Sequence, residues 1–214
     1  MIRDRATEIL DQHGIPDHLV EEAYRDMARI HRWLGDTRFV ARRIRRDPLP
    51  VRQVLDVGCG TGLVLHSVGR LLRIKVVGAD INPHPSVAAP VPIVRADARR
   101  DPLPFADVAF SMYLSHHLSE DDLVDMIRNV ARYARRFIIL DLVRHPLPLV
   151  MFQLLVKHLV CPIGAEDGQR SIRRSYTPDE LHRITAFALA GTASTFRLSV
   201  TPFYVRQVMD ISYA

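Results

Sequence analysis

The stretch Val54-Leu55-Asp56-Val57-Gly58-Cys59-Gly60-Thr61-Gly62 decides how this chain reads. A short apolar run ends on an acid, three glycines alternate with other residues, and a helical pattern opens at Leu63. This is a strand, a tight glycine turn and a helix N-terminus. Glycine has no Cβ, so a ligand can approach the backbone closely there. The start of the helix adds free N–H groups and a positive dipole end. The dinucleotide fingerprint is G-x-G-x-x-G. Here Gly58, Gly60 and Gly62 are one residue tighter and follow Asp56.

Outward from this stretch the pattern alternates. Leu19, Val20, Ala23, Met27, Ile30 and Leu34 recur at helical spacing, with Asp17 as expected N-cap and Gly35 as stop. Asp36 is expected to cap a second helix carrying Phe39, Val40 and Ile44, which Pro48 and Pro50 end. Strands are predicted over 51–57, 74–79 (ending at Asp80), 93–95, 107–112 and 137–140 (ending at Asp141). Helices are predicted over 63–72 and from Ser119 to Tyr133, where Ser119 and Asp122 form a capping pair. The stretch from Asn82 to Pro92 holds four prolines and predicts a loop or single turn. Thr177 and Pro178 open a helix to Ala190, closed by Gly191, and two strands follow over 195–200 and 203–209. Strands alternating with helices imply an α/β fold: a Rossmann-like parallel sheet with helices on both faces.

Asp56-x-Gly58-x-Gly60-x-Gly62 resembles motif I of the class I S-adenosylmethionine-dependent methyltransferases, in good order over residues 51–140. The resemblance implies a methyltransferase domain over 51–214, with the last two strands as a C-terminal antiparallel hairpin. It also implies an N-terminal helical arm, residues 1–50, over the active site, and an apolar insertion near 145–175. The stretch from Ala28 to Gly35 resembles small bacterial members thought to serve secondary or lipid metabolism. The expected cofactor is S-adenosylmethionine, with S-adenosylhomocysteine as product.

Composition narrows the classes. The chain has 214 residues, 48% of them hydrophobic, which suits one α/β domain. Cys59 and Cys161 form neither a disulfide framework nor a metal motif. No apolar leader or membrane-spanning run is present, so a cytoplasmic location is expected. The net charge of +5 is carried mainly by arginine, clustered at Arg42, Arg43, Arg45, Arg46 and at Arg170, Arg173, Arg174. Few aromatics interleave with them, which argues for solvated faces, or codon bias, over nucleic acid.

Candidate site residues follow from both readings. Asp80 follows Gly58 by about 20 residues, the place of a ribose-binding acid, and Ile81 beside it could pack on a base. Asp56 is expected to organise the glycine turn or meet the cofactor's ammonium group, and Cys59 to act through its backbone. The resemblance puts an adenine-binding acid at Asp97, flanked by Ala98, and Ser111 at the cofactor after strand four. His116 and His117 follow that strand; one is expected to face the cleft as a base, or else to pack beside the cofactor. Asp141 is a second candidate base. Arg144 is expected to pair with Asp141 or an anionic substrate; Tyr24, His31 and Phe152 are further candidate substrate contacts.

Absences discriminate as well. Ser111-Met112-Tyr113-Leu114 lacks the prolines of enzymes acting on exocyclic amino groups, and the Pro-Cys pair of RNA 5-methylcytosine enzymes. Asp141-Leu142 lacks the Asp-Asn pair of magnesium-dependent relatives, so no metal is expected. The stretch 147–160 is apolar almost all round, interrupted by Gln153 and Lys157. It suggests a lid for an apolar substrate, a dimer face, a membrane-surface contact or a buried core helix. The polar segment 164–175 reads as mobile. The favoured function is O-methylation of a small apolar or phenolic acceptor by a monomer or homodimer. An RNA methyltransferase and a non-catalytic S-adenosylmethionine-binding protein are the alternatives.

Overall fold

Seven strands form one sheet in the order β3-β2-β1-β4-β5-β7-β6. They span β1 Gln53–Val57, β2 Lys75–Asp80, β3 Ile93–Arg95, β4 Ala106–Met112, β5 Ala134–Leu142, β6 Thr195–Val200 and β7 Arg206–Ser212. The computed structural model describes residues 1–12, 14–82 and 91–214. The proline-rich expectation therefore lies mostly outside the described residues. β1 to β5 run parallel, while β7 is antiparallel to both β5 and β6. The sheet order reverses between β1 and β4, and in such sheets ligands bind beyond the strand C-termini at this point.

Helices cover both faces because the central strands are apolar on both. Val54, Val108, Phe110, Ile138 and Leu140 pack on Val40 and Ile44 of α2 (Asp36–Arg45) and Leu65 and Val68 of α3 (Leu63–Leu72). The alternate residues Leu55, Val57, Ala109, Phe137 and Ile139 pack on Leu123 and Ile127 of α4 (Glu120–Val130). With them lie Leu181 and Ile184 of α7, which spans Pro178–Ala188. The N-terminal ends of α4 and α7 follow local chemistry. Ser119 accepts the Asp122 N–H, and Thr177 and Glu180 form a reciprocal capping box.

Several boundaries differ from the sequence reading. α1 spans Asp17–Leu34 with Pro16, not Asp17, at the N-cap. Gly35, at φ 69°, joins α1 to α2, and Asp36 turns inward instead of capping α2. α4 ends at Val130, because the chain turns directly into the longer β5, which contains Asp141. β7 begins at Arg206, after a turn in which Phe203 and Tyr204 take positive φ. The apolar stretch is not one helix: α5 (Pro146–Met151) runs into a π-helical turn over 152–156 and a 3-10 turn over 157–159. Leu154 and Leu155 are 70% and 62% exposed, so this stretch is not a buried core helix.

The segment read as mobile is α6, Pro162–Arg174. Cys161 caps it through Sγ, Pro162 opens it, and Asp167, Ser171 and Ile172 are buried. Gly164 and Gly168 weaken its sequence signal, while Gly168 makes room for the Phe152 ring. The N-terminal segment 1–12 lies along α6. Asp167 accepts the N–H groups of Ile9 (2.7 Å) and Leu10 (2.9 Å).

Candidate active site

Asp56 and the glycine turn stand at the C-terminal end of β1. Gly58, Gly60 and Gly62 all take positive φ (74°, 51° and 71°), which explains the three glycines. The turn is closed on itself. Gly58 and Cys59 donate to the Ala79 carbonyl, Gly62 to the Cys59 carbonyl, and Gly60 to Asp80 (2.8 Å). These four N–H groups are thus not free for a phosphate. The turn offers an open backbone surface instead: nothing lies within 4 Å of where a Gly60 Cβ would stand.

Asp56 is 3% exposed and accepts no hydrogen bond from the described residues. Burial, and then the charge of Asp80, push its carboxyl well above the usual range. A buried acid beside an open turn fits a cationic ligand group such as an ammonium. Asp80 also accepts the Asn82 N–H. Ile81 is half exposed at the end of β2. The Cys59 sulfur lies against Gly78, and burial pushes its thiol up, so its contribution is packing and backbone. Ser111 is fully buried with no hydroxyl partner among the described residues.

Asp97 is occupied differently from the sequence expectation. Both of its oxygens are held by Arg99 and one also by Arg100, each at 2.8 Å, and these bonds hold its carboxyl far below the usual range. Arg99 also bridges to Asp122 (2.7 Å). The neighbouring Ala98 carbonyl accepts from Asn129. Asp97 therefore ties the loop after β3 to α4.

A second cluster adjoins the turn. Leu114 packs directly over Gly58, whose Cβ would stand 2.8 Å from Leu114 Cδ2. The 3-10 turn Ser115–His117 follows at once. Asp141 accepts from Ser115 Oγ, from the N–H groups of His116 (2.9 Å) and Leu142 (2.7 Å), and faces His116 Nδ1 at 2.7 Å. Burial opposes its charge, but His116 and these donors hold its carboxyl below the usual value. His116, 3% exposed, is thereby fixed with Nε2 turned away from Asp141.

Residues from distant parts of the chain complete the cluster, and no local pattern could announce them. Glu8 lies 3.6 Å from His116 Nε2 and 3.9 Å from His117 Nε2, Asp11 3.0 Å from His117 Nδ1, and Arg174 3.8 Å from Glu8. Ser171 Oγ donates to Glu8 (2.8 Å). Burial pushes the Glu8 carboxyl up, partly offset by His117.

The remaining expected residues divide. Tyr24 lies near both Asp80 and Asp11; burial first, then these two acids, push its hydroxyl up. His31 belongs to another buried network: its Nδ1 meets Asp36 at 2.9 Å and its ring stacks on Tyr113. Asp36 also accepts from Tyr113 Oη and Arg206. Arg144 pairs with Glu180, not Asp141, and its Nε and Nη1 have no partner among the described residues. Phe152 packs on α6. The structure brings the candidate bases His116, His117 and Asp141 together, while Arg144, Phe152 and His31 make other contacts.

Comparison with known proteins follows the same lines. Residues 54–136 match the family model described as "Methyltransferase domain". No curated protein sequence matches the chain. Among solved structures, the plantazolicin methyltransferase BpumL in complex with SAH superposes with a TM-score of 0.71 at 12% identity, over 91% of this chain and 90% of that one. Human N-acetylserotonin methyltransferase in complex with SAM gives 0.62 at 17% identity, over 96% and 62%. The magnesium protoporphyrin IX methyltransferase of Synechocystis PCC 6803 with bound SAH gives 0.53 at 17%, over 96% and 91%. These likenesses establish the fold. Together with the match over residues 54–136, they show that the chain has the fold of methyltransferases solved with SAH or SAM.

Proposed function

We propose that the chain methylates an oxygen atom of a small, apolar or phenolic acceptor. The observation that carries this reading is the Asp141–His116 pair set beside the glycine turn by the Leu114–Gly58 contact. The cofactor, when bound, supplies an electrophilic methyl group on a cationic sulfonium. Asp56 would hold its ammonium group, Asp80 its ribose hydroxyls, and the bare backbone at Gly60 its closest approach. The closed hydrogen bonding of the turn suits such a cation better than a pyrophosphate.

Methyl transfer needs alignment and a nucleophile relieved of its proton. Asp141 holds the His116 Nδ1 side, so the remaining nitrogen is the one presented for proton transfer. Glu8 covers that nitrogen, so an acceptor reaches it only when the N-terminal segment gives way. Solved structures of this fold are named for acceptors as unlike as N-acetylserotonin and magnesium protoporphyrin IX. The acceptor class is therefore read from this chain: a closed N-terminal cover supports a small molecule, and the exposed leucines after α5 support an apolar one.

The test is transfer of labelled methyl from S-adenosylmethionine to a panel of phenols, hydroxypyrones and quinols, with RNA in parallel. Labelled ethers are expected. His116→Ala should lower kcat by about 10²–10⁴ with cofactor affinity retained. Label entering RNA alone, or a variant as fast as wild type, would refute the proposal.

A further inference from the structure

The Glu8–His116–His117 cluster has the ligand atoms and the spacing of a divalent-metal site, and nothing in the methyl-transfer reading requires one. All three side chains can bring one ligand atom within 4.8 Å of the others. Each histidine has its Nδ1 committed to a carboxylate, His116 to Asp141 at 2.7 Å and His117 to Asp11 at 3.0 Å. Both Nε2 atoms therefore face the same acid, Glu8. Metal-binding histidines are oriented in this way, one nitrogen on a carboxylate and the other on the ion.

The distances separate an ion from a proton. A protonated imidazole aimed at a buried carboxylate closes to a hydrogen bond of about 2.7–2.9 Å. Here the Nε2–oxygen distances are 3.6 and 3.9 Å. Ligand atoms about 2.0–2.2 Å from a tetrahedral zinc lie roughly 3.3–3.5 Å from each other, so small rotations bring these atoms into place. Charge points the same way. Glu8, Asp11 and Asp141 surround the two imidazoles, with Arg174 as the only guanidinium within 4 Å of Glu8 or Asp11 among the described residues. Arg174 stands 3.7–3.8 Å from them, and its Nη1 makes no hydrogen bond. With both imidazoles neutral, as metal ligands are, three ionised carboxylates against one guanidinium leave a deficit of two positive charges. Asp167 and Arg3 nearby are occupied by backbone groups and are opposite in sign.

We propose that Glu8, His116 and His117 bind one zinc-like divalent ion, which pins the N-terminal segment onto the methyltransferase domain. His117, 27% exposed, is the side of the site open to solvent. This departs from the metal-free expectation of the sequence, whose three ligands lie in two distant segments with no motif spacing. It concerns the cluster alone and stands independently of the acceptor. With the ion bound both imidazoles are ligands, so His116 serves as a base only in the ion-free protein, and added zinc should slow turnover.

The experiment is titration of the chelator-treated full chain with Co²⁺ and Zn²⁺, read by calorimetry and by cobalt visible absorption, with no acceptor present. One ion per chain is expected, with an intense tetrahedral-type cobalt spectrum displaced by zinc. His117→Gln and Glu8→Gln should abolish that spectrum, and Asp11→Asn should weaken binding roughly 10–100-fold. Amide exchange at residues 8–11 should slow when the ion is added to wild type. Absence of binding, or binding unchanged in both His117→Gln and Glu8→Gln, would overturn the proposal. Cofactor affinity measured on the same samples keeps this outcome separate from the fate of the methyl-transfer reading.

Discussion

On the proposed function, Asp56 concentrates the conflict between folding and ligand binding in one side chain. It is buried without a donor, and its folded-state carboxyl sits above its unfolded value. A raised folded value means that the native state favours the protonated form, so ionised Asp56 costs stability at neutral pH. That cost shrinks as pH falls through the folded value towards 3.8. Asp56→Asn is accordingly expected to raise the Tm of the ligand-free protein by roughly 2–4 °C while weakening cofactor binding, as scanning calorimetry and titration would show. A lower Tm would mean that the carboxylate has an unseen structural partner. Gly58 makes the opposite case. Gly58→Ala imposes left-handed strain of roughly 1–2 kcal/mol and presses on Leu114, so both stability and cofactor affinity should drop. These two residues were legible from the chain because glycines at alternate positions after a strand have one backbone meaning. Asp97 was not: an acid at the right spacing looks the same whether it meets a ligand or the arginines two and three residues on.

At the scale of elements, strands and helices with strong periodicity came through within a few residues, and their caps explain the ends. The misreadings fall where tertiary contacts overrule local preference. α6 is polar and glycine-bearing, but it is held by what docks on it, above all the N-terminal segment. Asp167→Ala removes the acceptor of two backbone N–H groups, at a cost of about 1–3 kcal/mol. The expected result is faster amide exchange and earlier proteolysis within residues 1–12, with the sheet core unaffected. The loop after β3 depends on charge instead. Asp97 and Asp122 are held below their ordinary values by bonds to Arg99 and, for Asp122, first to Ser119. Lowered folded values contribute stability that is present above about pH 4 and is lost as pH falls through them. An acid-unfolding series should therefore show a smaller loss in Arg99→Ala than in wild type, because the variant has already given up that contribution.

Across the whole molecule, the N-terminal arm contributes side chains to clusters built on the sheet. Glu8 and Asp11 complete the histidine cluster, Tyr24 lies near Asp80, and Asp36 joins α2 to Tyr113 and Arg206. Fold class and the glycine turn were readable because they depend on neighbours in sequence. The histidine cluster was half readable: His116, His117 and Asp141 stand at strand ends, whereas Glu8 and Arg174 reach them only through the docking of α6. No helix among the described residues is long and apolar enough to cross a membrane. The central claim is a cofactor site built on Asp56, the glycine turn and Asp80. It is tested most directly by calorimetric titration with S-adenosylmethionine and S-adenosylhomocysteine, beside NAD, for wild type and Asp80→Ala. Saturable binding of both sulfur compounds, absent for NAD and lost in Asp80→Ala, is the predicted result. Preference for NAD, or binding indifferent to Asp80, would contradict the account.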